Sequence, residues 1–297
     1  MNTGRREFAK KVALTASLSA LLPGLSQADI LDIAKKKMKM GLVTYLWGKD
    51  WDVPTLITNC TAAEIYGVEL RVDHAHGVTV DLSKQDRAEV KKRFQDSKVE
   101  FLGMGTNEQY DSPDPVKLKN NMDRSKQFIQ LSHDLGGTGV KVKPNQFHKE
   151  VEKEKTIEQI GKALRELAIY GEDYGQIIRL EVHGNETQEL PNIKAIMDVA
   201  DHPNARVCWN CNNEDLIGEG LEYNFNLVKA NLGDTVHIRE LNVGDYPYQD
   251  LFNLFVKANY GGWVLLECRT DPQDKVVAMK EQLRLFNEMI KQAKGKK

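Results

Sequence analysis

From residue 39 to the C-terminus, short apolar runs alternate with helical patterns, and they do so eight times. No other feature of the chain narrows its fold so far. The runs are KMGLVTYLW (39–47), GVELRVD (67–73), VEFLGMGTN (99–107), TGVKVKPN (138–145), IIRLEVHG (177–184), ARVCWNCN (205–212), TVHIREL (235–241) and GWVLLECRT (262–270). Between them stand amphipathic stretches such as SKQDRAEVKKRFQDSK and TIEQIGKALRELAIYGEDYG, whose apolar residues recur at helical spacing. Strands joined by single helices pair in parallel through right-handed crossovers. Eight such units predict an α/β fold, a single-domain (β/α)8 TIM barrel over 39–297. A doubly wound sheet would bring a glycine-rich phosphate loop after the first strand. That loop reads WGKDWD here, without the glycines. Glycines 67, 136, 175 and 261 stand where helix ends are expected.

The N-terminus carries a different signal. GRREFAKK precedes a mildly apolar VALTASLSALL, then PG and LSQA. This is the charged, apolar and small-residue sequence of an export signal. Arg5–Arg6 followed by Phe8 resembles the twin-arginine type, with a plain secretory signal as the alternative. Residues 1–28 are therefore expected to be a signal peptide, 29–38 a lead-in segment, and the location periplasmic, reached in folded form. The signal holds four Lys/Arg and one Glu, so the net charge of −2 becomes −5 for the mature chain. An acidic chain is not expected to bind nucleic acid, and no apolar run is long enough to span a membrane. Cys208 and Cys211 lie in an extended run, about 10 Å apart and on opposite faces, too far to bridge. All four cysteines are expected to be structural thiols.

The strand runs end in charge. Glu69 and Arg71, Lys141 and Lys143, Glu181 and His183, Asn210 and Asn212, His237 and Arg239, and Glu267 and Arg269 are pairs two residues apart. In a strand each pair shares a face. In a barrel that face is the lumen, near the strand ends where sites are built. Buried charges need partners or a metal. A salt-bridged interior, with Glu69 paired to Arg71 or Lys141, accounts for some of them. It accounts less well for Glu181, Asn210, His237 and Glu267, which are 29, 27 and 30 residues apart, about one strand–helix unit each. Four successive strand ends would surround one point. Their carboxylate, amide and imidazole donors suit one divalent ion. Mn²⁺ is the first expectation, with Mg²⁺, Co²⁺ or Zn²⁺ as alternatives.

This layout resembles the sugar-phosphate isomerase/epimerase family, the xylose-isomerase-like TIM barrels, over about residues 39–295. The family's metal ligands are Glu, Asp, His and Glu on strands five to eight. They fall on Glu181 in LEVHG, Asn210 in CWNCNN, His237 in VHIREL and Glu267 in LLECR. GVELR, with Glu69, is similar to the family's usual second strand. Position 210 departs from the pattern, because Asn removes one negative charge. The resemblance implies that Glu181 and Glu267 are also the catalytic base and acid, moving a proton next to a sugar carbonyl.

His183, Lys143, Arg239, Arg269, Glu69 and Trp47 are the candidate substrate-binding residues. Arg239 and Arg269 are expected either to orient the glutamates or to bind substrate oxygens. His74 and His76, in DHAHG, read more simply as loop residues. The expected partner is a small-molecule sugar or keto-glycoside, and an exported protein is not expected to meet phosphorylated sugars. The first expectation is thus a metal-dependent sugar isomerase or epimerase. A 3-keto-glycoside lyase, expelling the C1 substituent by β-elimination, is the second. A non-catalytic sugar-binding barrel is the third. A homo-oligomer is carried as an open expectation.

Overall fold

The computed structural model describes residues 37–295. The expected export signal, and all but the last two residues of the expected lead-in segment, lie outside the described residues. Eight parallel strands follow in order: β1 (Lys39–Val43), β2 (Gly67–Arg71), β3 (Glu100–Gln109), β4 (Gly139–Lys143), β5 (Ile177–Glu181), β6 (Ala205–Cys208), β7 (Thr235–Ile238) and β8 (Trp263–Leu266). The helices after them are α1 (Val53–Ala62), α2 (Lys84–Gln95), α3 (Pro115–Leu135), α4 (Lys153–Glu172), α5 (Leu190–Ala200), α6 (Leu221–Val228), α7 (Tyr248–Lys257) and α8 (Lys275–Gly295). The sequence places helix starts well. Asp52, Ser83 and Asp114 each cap a helix by accepting a backbone N–H of its first turn. Gly136 ends α3 in the left-handed conformation, at φ 87°.

The other three glycines expected at helix ends have other places. Gly67 lies inside β2, where a Cβ would stand 2.5 Å from the Trp263 ring. Gly175 and Gly261 lie in loops beyond the caps of α4 and α7, which are Asp173 and Ala258.

The ladder runs β6–β5–β4–β3–β2–β1–β8–β7. Among the described residues β6 and β7 share no ladder. They are joined by the His237 N–H to the Trp209 carbonyl at 2.7 Å and by the Gly233 N–H to the Val207 carbonyl at 2.9 Å. The result is a nearly closed TIM barrel.

Alternate strand residues face two ways, and the two faces differ in chemistry. Leu42, Leu70, Val140, Leu180, Val207, Val236 and Val264 belong to the main core, which also holds the buried faces of the helices. The other face is divided. Val43, Leu102, Trp263 and Leu265 make a separate apolar cluster. Glu69, Lys141, Arg179, Glu181 and His237 are buried beside it with at most 1% of their surface exposed.

Candidate active site

Arg179 anchors the lower part of this charged half. It stands two residues before Glu181 in β5, on the same face. Its Nε and Nη2 each donate to the Asp234 carboxylate at 2.8 Å, and Nη2 also reaches Thr138 Oγ1 at 2.6 Å. Its Nη1 lies 4.0 Å from Glu69 Oε2. Glycine makes room for it: a Cβ on Gly103 would meet Nη1 at 2.8 Å and the Gly139 carbonyl at 2.0 Å.

Above it, Glu69 faces His237, with Oε1 3.2 Å from Nε2. The opposite ring nitrogen, Nδ1, lies 3.7 Å from Glu181 Oε1 and 3.8 Å from Glu267 Oε2. Glu181 is held on both oxygens. Lys141 Nζ donates to Oε2 at 2.7 Å and Asn210 Nδ2 donates to Oε1 at 3.0 Å. Burial alone would raise the Glu181 pKa, but the Lys141 ammonium and His237 hold it well below the usual carboxylate range. Glu69 follows the same logic: burial opposes ionisation, and His237, Lys141 and Arg179 outweigh it.

Glu181, His237 and Glu267 each present a donor atom, all within 4.8 Å of one another, and all three residues are buried. Asn210 Oδ1, also buried, has no hydrogen-bond partner. Three convergent donors and one orphaned amide oxygen fit a divalent ion of the hard-to-borderline class. The Glu69–His237 contact is the partner such a ligand histidine needs, because it fixes which ring nitrogen faces the metal. The arrangement can therefore grip an ion and place two carboxylates beside whatever it binds.

The rim is less buried. Glu267 Oε1 lies 3.7 Å from Arg71 Nη1, at side chains 8% and 12% exposed. Asn107, at the end of β3, accepts from Arg71 Nη2 at 3.0 Å and Lys143 Nζ at 3.2 Å. Burial, with Lys141 nearby, pushes the Lys143 pKa down to about 8. His183 is half-buried, with Nδ1 unpartnered. Asn145–Gln146 pairs with Gly184–Asn185 in a short ribbon linking the loops after β4 and β5.

The sequence reading placed the four candidate ligands together, and the fold brings Glu181, His237 and Glu267 into one cluster with Asn210 against Glu181. Its ion pairing was different. Glu69 pairs with His237 and Arg179 rather than with Arg71 or Lys141; Lys141 takes Glu181 and Arg71 faces Glu267. Barrel curvature brings Glu69 to His237 and Arg179, and Arg71 to Glu267, from non-neighbouring strands, whereas Lys141 and Glu181 stand on the paired neighbours β4 and β5. Arg269 is exposed and its backbone N–H goes to Glu240; Arg71, not Arg269, faces Glu267. The Arg239 guanidinium reaches Asn212 Oδ1 at 3.5 Å and its backbone N–H donates to the Tyr248 hydroxyl at 3.1 Å. Trp47 is 2% exposed and donates Nε1 to the Thr270 carbonyl at 2.9 Å; it ties two loops together as packing. His76 is likewise structural. Its Nε2 meets the Arg71 carbonyl at 2.7 Å, Nδ1 accepts from the Val78 N–H at 3.0 Å, and burial pushes its pKa down to about 4. Arg179 and Asn107 went unread, although Arg179 stands two residues before Glu181.

A family model described as xylose isomerase-like TIM barrel matches residues 57–289. No curated protein matches the sequence. Among solved structures, an L-ribulose 3-epimerase superposes with a TM-score of 0.75 at 15% identity, covering 87% of this chain and 96% of that one. The 3-keto-D-glucoside 4-epimerase YcjR from E. coli, in its apo form, gives 0.72 at 15% identity, covering 85% and 100%. The IolI protein with a bound zinc atom gives 0.72 at 14% identity, covering 86% and 99%.

Proposed function

The chain belongs to the xylose isomerase-like TIM barrel family, and from that premise we propose that it is a divalent-metal-dependent sugar epimerase or isomerase acting on non-phosphorylated sugars or keto-sugars. The observation that carries this reading is the convergence of Glu181, His237 and Glu267 from β5, β7 and β8 on one point beside a polar rim. Glu181, His237 and Glu267 would hold the ion, with Asn210 Oδ1 as the fourth donor. A bound divalent ion would act as a Lewis acid on the substrate's carbonyl and neighbouring hydroxyl oxygens.

The chain's own groups do the rest. A carboxylate beside the carbon next to the carbonyl removes its proton, and the second carboxylate returns a proton from the other side. Glu267 and Glu181 are the pair in place. Lys143 and His183, half-buried at the rim, are the donors that would orient sugar hydroxyls. Arg71, 3.7 Å from Glu267, orients it, one of the two roles expected of Arg269. The export signal read at Arg5–Arg6 supports a periplasmic location, where phosphorylated sugars are not expected.

A second reading has its own support in the fold's likeness to a 3-keto-D-glucoside 4-epimerase. A 3-keto-glycoside that loses its C2 proton can either regain one or break the C1–O bond. In the second case the C1 substituent takes a proton and leaves as an alcohol, making the protein a lyase.

The test is NMR of the purified mature protein in D2O with Mn²⁺, against free ketoses and 3-keto-glucosides. Deuterium uptake at the carbon beside the carbonyl, lost on chelation and in Glu181→Gln and Glu267→Gln, is expected. An epimer as product favours the first reading and an unsaturated ketone the second. Substrates that stay protonated and intact would remove the catalytic assignment and leave a sugar-binding barrel.

A further inference from the structure

Lys141 is the charged residue whose place the proposed reaction does not explain. Its Nζ donates to Glu181 Oε2 at 2.7 Å and to the Thr106 carbonyl at 3.2 Å. Thr106 Oγ1 returns a bond to the Lys141 carbonyl at 2.8 Å, which locks the stem of the side chain between β3 and β4. Neither member of the Lys141–Glu181 pair has more than 1% of its side chain exposed. The Asn210 amide holds the other oxygen of Glu181. The candidate ligand is thus fixed from two sides by the protein itself.

Charge argues the same way. The Arg179–Asp234 pair neutralises itself. Glu69, Glu181 and Glu267 then face Lys141, Arg71 and, at the rim, Lys143, so three carboxylates meet three cations even when His237 is neutral. A divalent ion entering that space meets less net negative charge than it carries positive. It also meets an ammonium already bonded to one of its own ligands. Asn210, neutral where the family pattern has a carboxylate, acts in the same direction.

We propose that Lys141 is the resident cation of this site: it holds Glu181 in place without a metal and keeps the affinity for divalent ions low, so that the ion is an exchangeable visitor and not a structural part. The inference rests on the metal reading given above and concerns how tightly, and with what competitor, the ion is held.

The experiment is calorimetric titration of Mn²⁺ into metal-free wild type, Lys141→Gln and Lys141→Arg, with thermal melts in EDTA and in Mn²⁺. Removing the ammonium is expected to tighten Mn²⁺ binding by about 10-fold or more, because a like charge is taken away from beside the ion; a partner that merely supported its ligand would on removal weaken binding about 10- to 100-fold instead. The Gln variant is also expected to melt lower than wild type in EDTA, and Mn²⁺ should restore it. The Arg variant keeps the charge and is expected to bind Mn²⁺ as weakly as wild type. Equal or weaker binding by the Gln variant, or an unchanged melt in EDTA, overturns this inference alone. Binding by none of the three overturns it together with the metal reading. If the Gln variant does not fold even with Mn²⁺, the Arg variant decides: wild-type affinity supports the inference, and tighter binding refutes it.

Discussion

Arg179→Met removes the guanidinium beneath the site while keeping most of the side-chain volume. Its consequences divide unequally between two carboxylates. Asp234 has a side chain 31% exposed and keeps Thr138 Oγ1 as a donor at 2.7 Å, so water and the threonine replace much of what it loses. Glu69 is fully buried, neither of its oxygens has a hydrogen-bond partner, and its nearest other partner is His237 at 3.2 Å. Removing one member of a buried pair costs about 3–5 kcal/mol, because the other is left charged and dry. We expect that loss for Arg179→Met, and a comparable one for Asp234→Asn, which leaves the fully buried Arg179 cation with Glu69, 4.0 Å away, as its remaining carboxylate. Adding Glu69→Gln to Arg179→Met removes the stranded charge, so the double variant should regain at least about 1 kcal/mol. The assay is urea denaturation followed by fluorescence and far-UV circular dichroism, whose coincident curves mark a single transition. A loss below about 1 kcal/mol for Arg179→Met, or no recovery in the double variant, would refute the argument.

Two further outcomes follow from the same structure. Asp215, in the turn after β6, accepts from the Asn212 N–H at 3.0 Å and the Tyr246 hydroxyl at 2.6 Å, yet burial pushes its pKa up to about 7. The folded form therefore binds the extra proton, so the stability this group confers is present near pH 4 and is lost as pH rises through about 7. Relative to Asp215→Asn, wild type should lose roughly 4 kcal/mol across that window. The opposite slope from His76 is common to both proteins and cancels, and parallel stability curves would refute the assignment. Gly103→Ala places a Cβ 2.0 Å from the Gly139 carbonyl at a backbone φ of 148°. It should destabilise by more than about 3 kcal/mol or prevent folding; a wild-type melting temperature would contradict the close approach of β3 and β4.

The architecture was legible because each strand is a run of apolar residues and each helix has its own spacing and cap. Strand ends were less so. β6 stops at Cys208, before Asn210, and β8 stops at Leu266, just before Glu267. In these two strands the ladder closes before the polar positions begin, and period-two alternation continues past it. The candidate ligands could be read because four positions of suitable chemistry recur at one-unit spacing. The pairing of Lys141 with Glu181 and of Glu69 with His237 could not. The Glu69–His237 contact runs across the lumen and depends on curvature, and the Lys141–Glu181 contact joins neighbouring strands through the lean of two long side chains; no local pattern encodes either. Arg179 was within reach, two residues before Glu181, but its neighbours IIRL read as an apolar run. Trp47 shows the opposite error, in which an aromatic after a strand suggested a sugar platform and packing claimed it instead.

The β6–β7 junction gives the barrel a mechanical asymmetry. A hoop of staves with one loose joint yields at that joint first, and among the described residues two backbone bonds, from His237 and Gly233, cross it. The joint is also where the candidate donors divide. Asn210 and Glu181 stand on one bank, and His237 and Glu267 on the other. Anything that grips both banks acts as a clasp. Binding at the mouth would thus be felt as a slowing of amide exchange along β6 and β7, and the same seam sets how far the donors can part to let a ligand in.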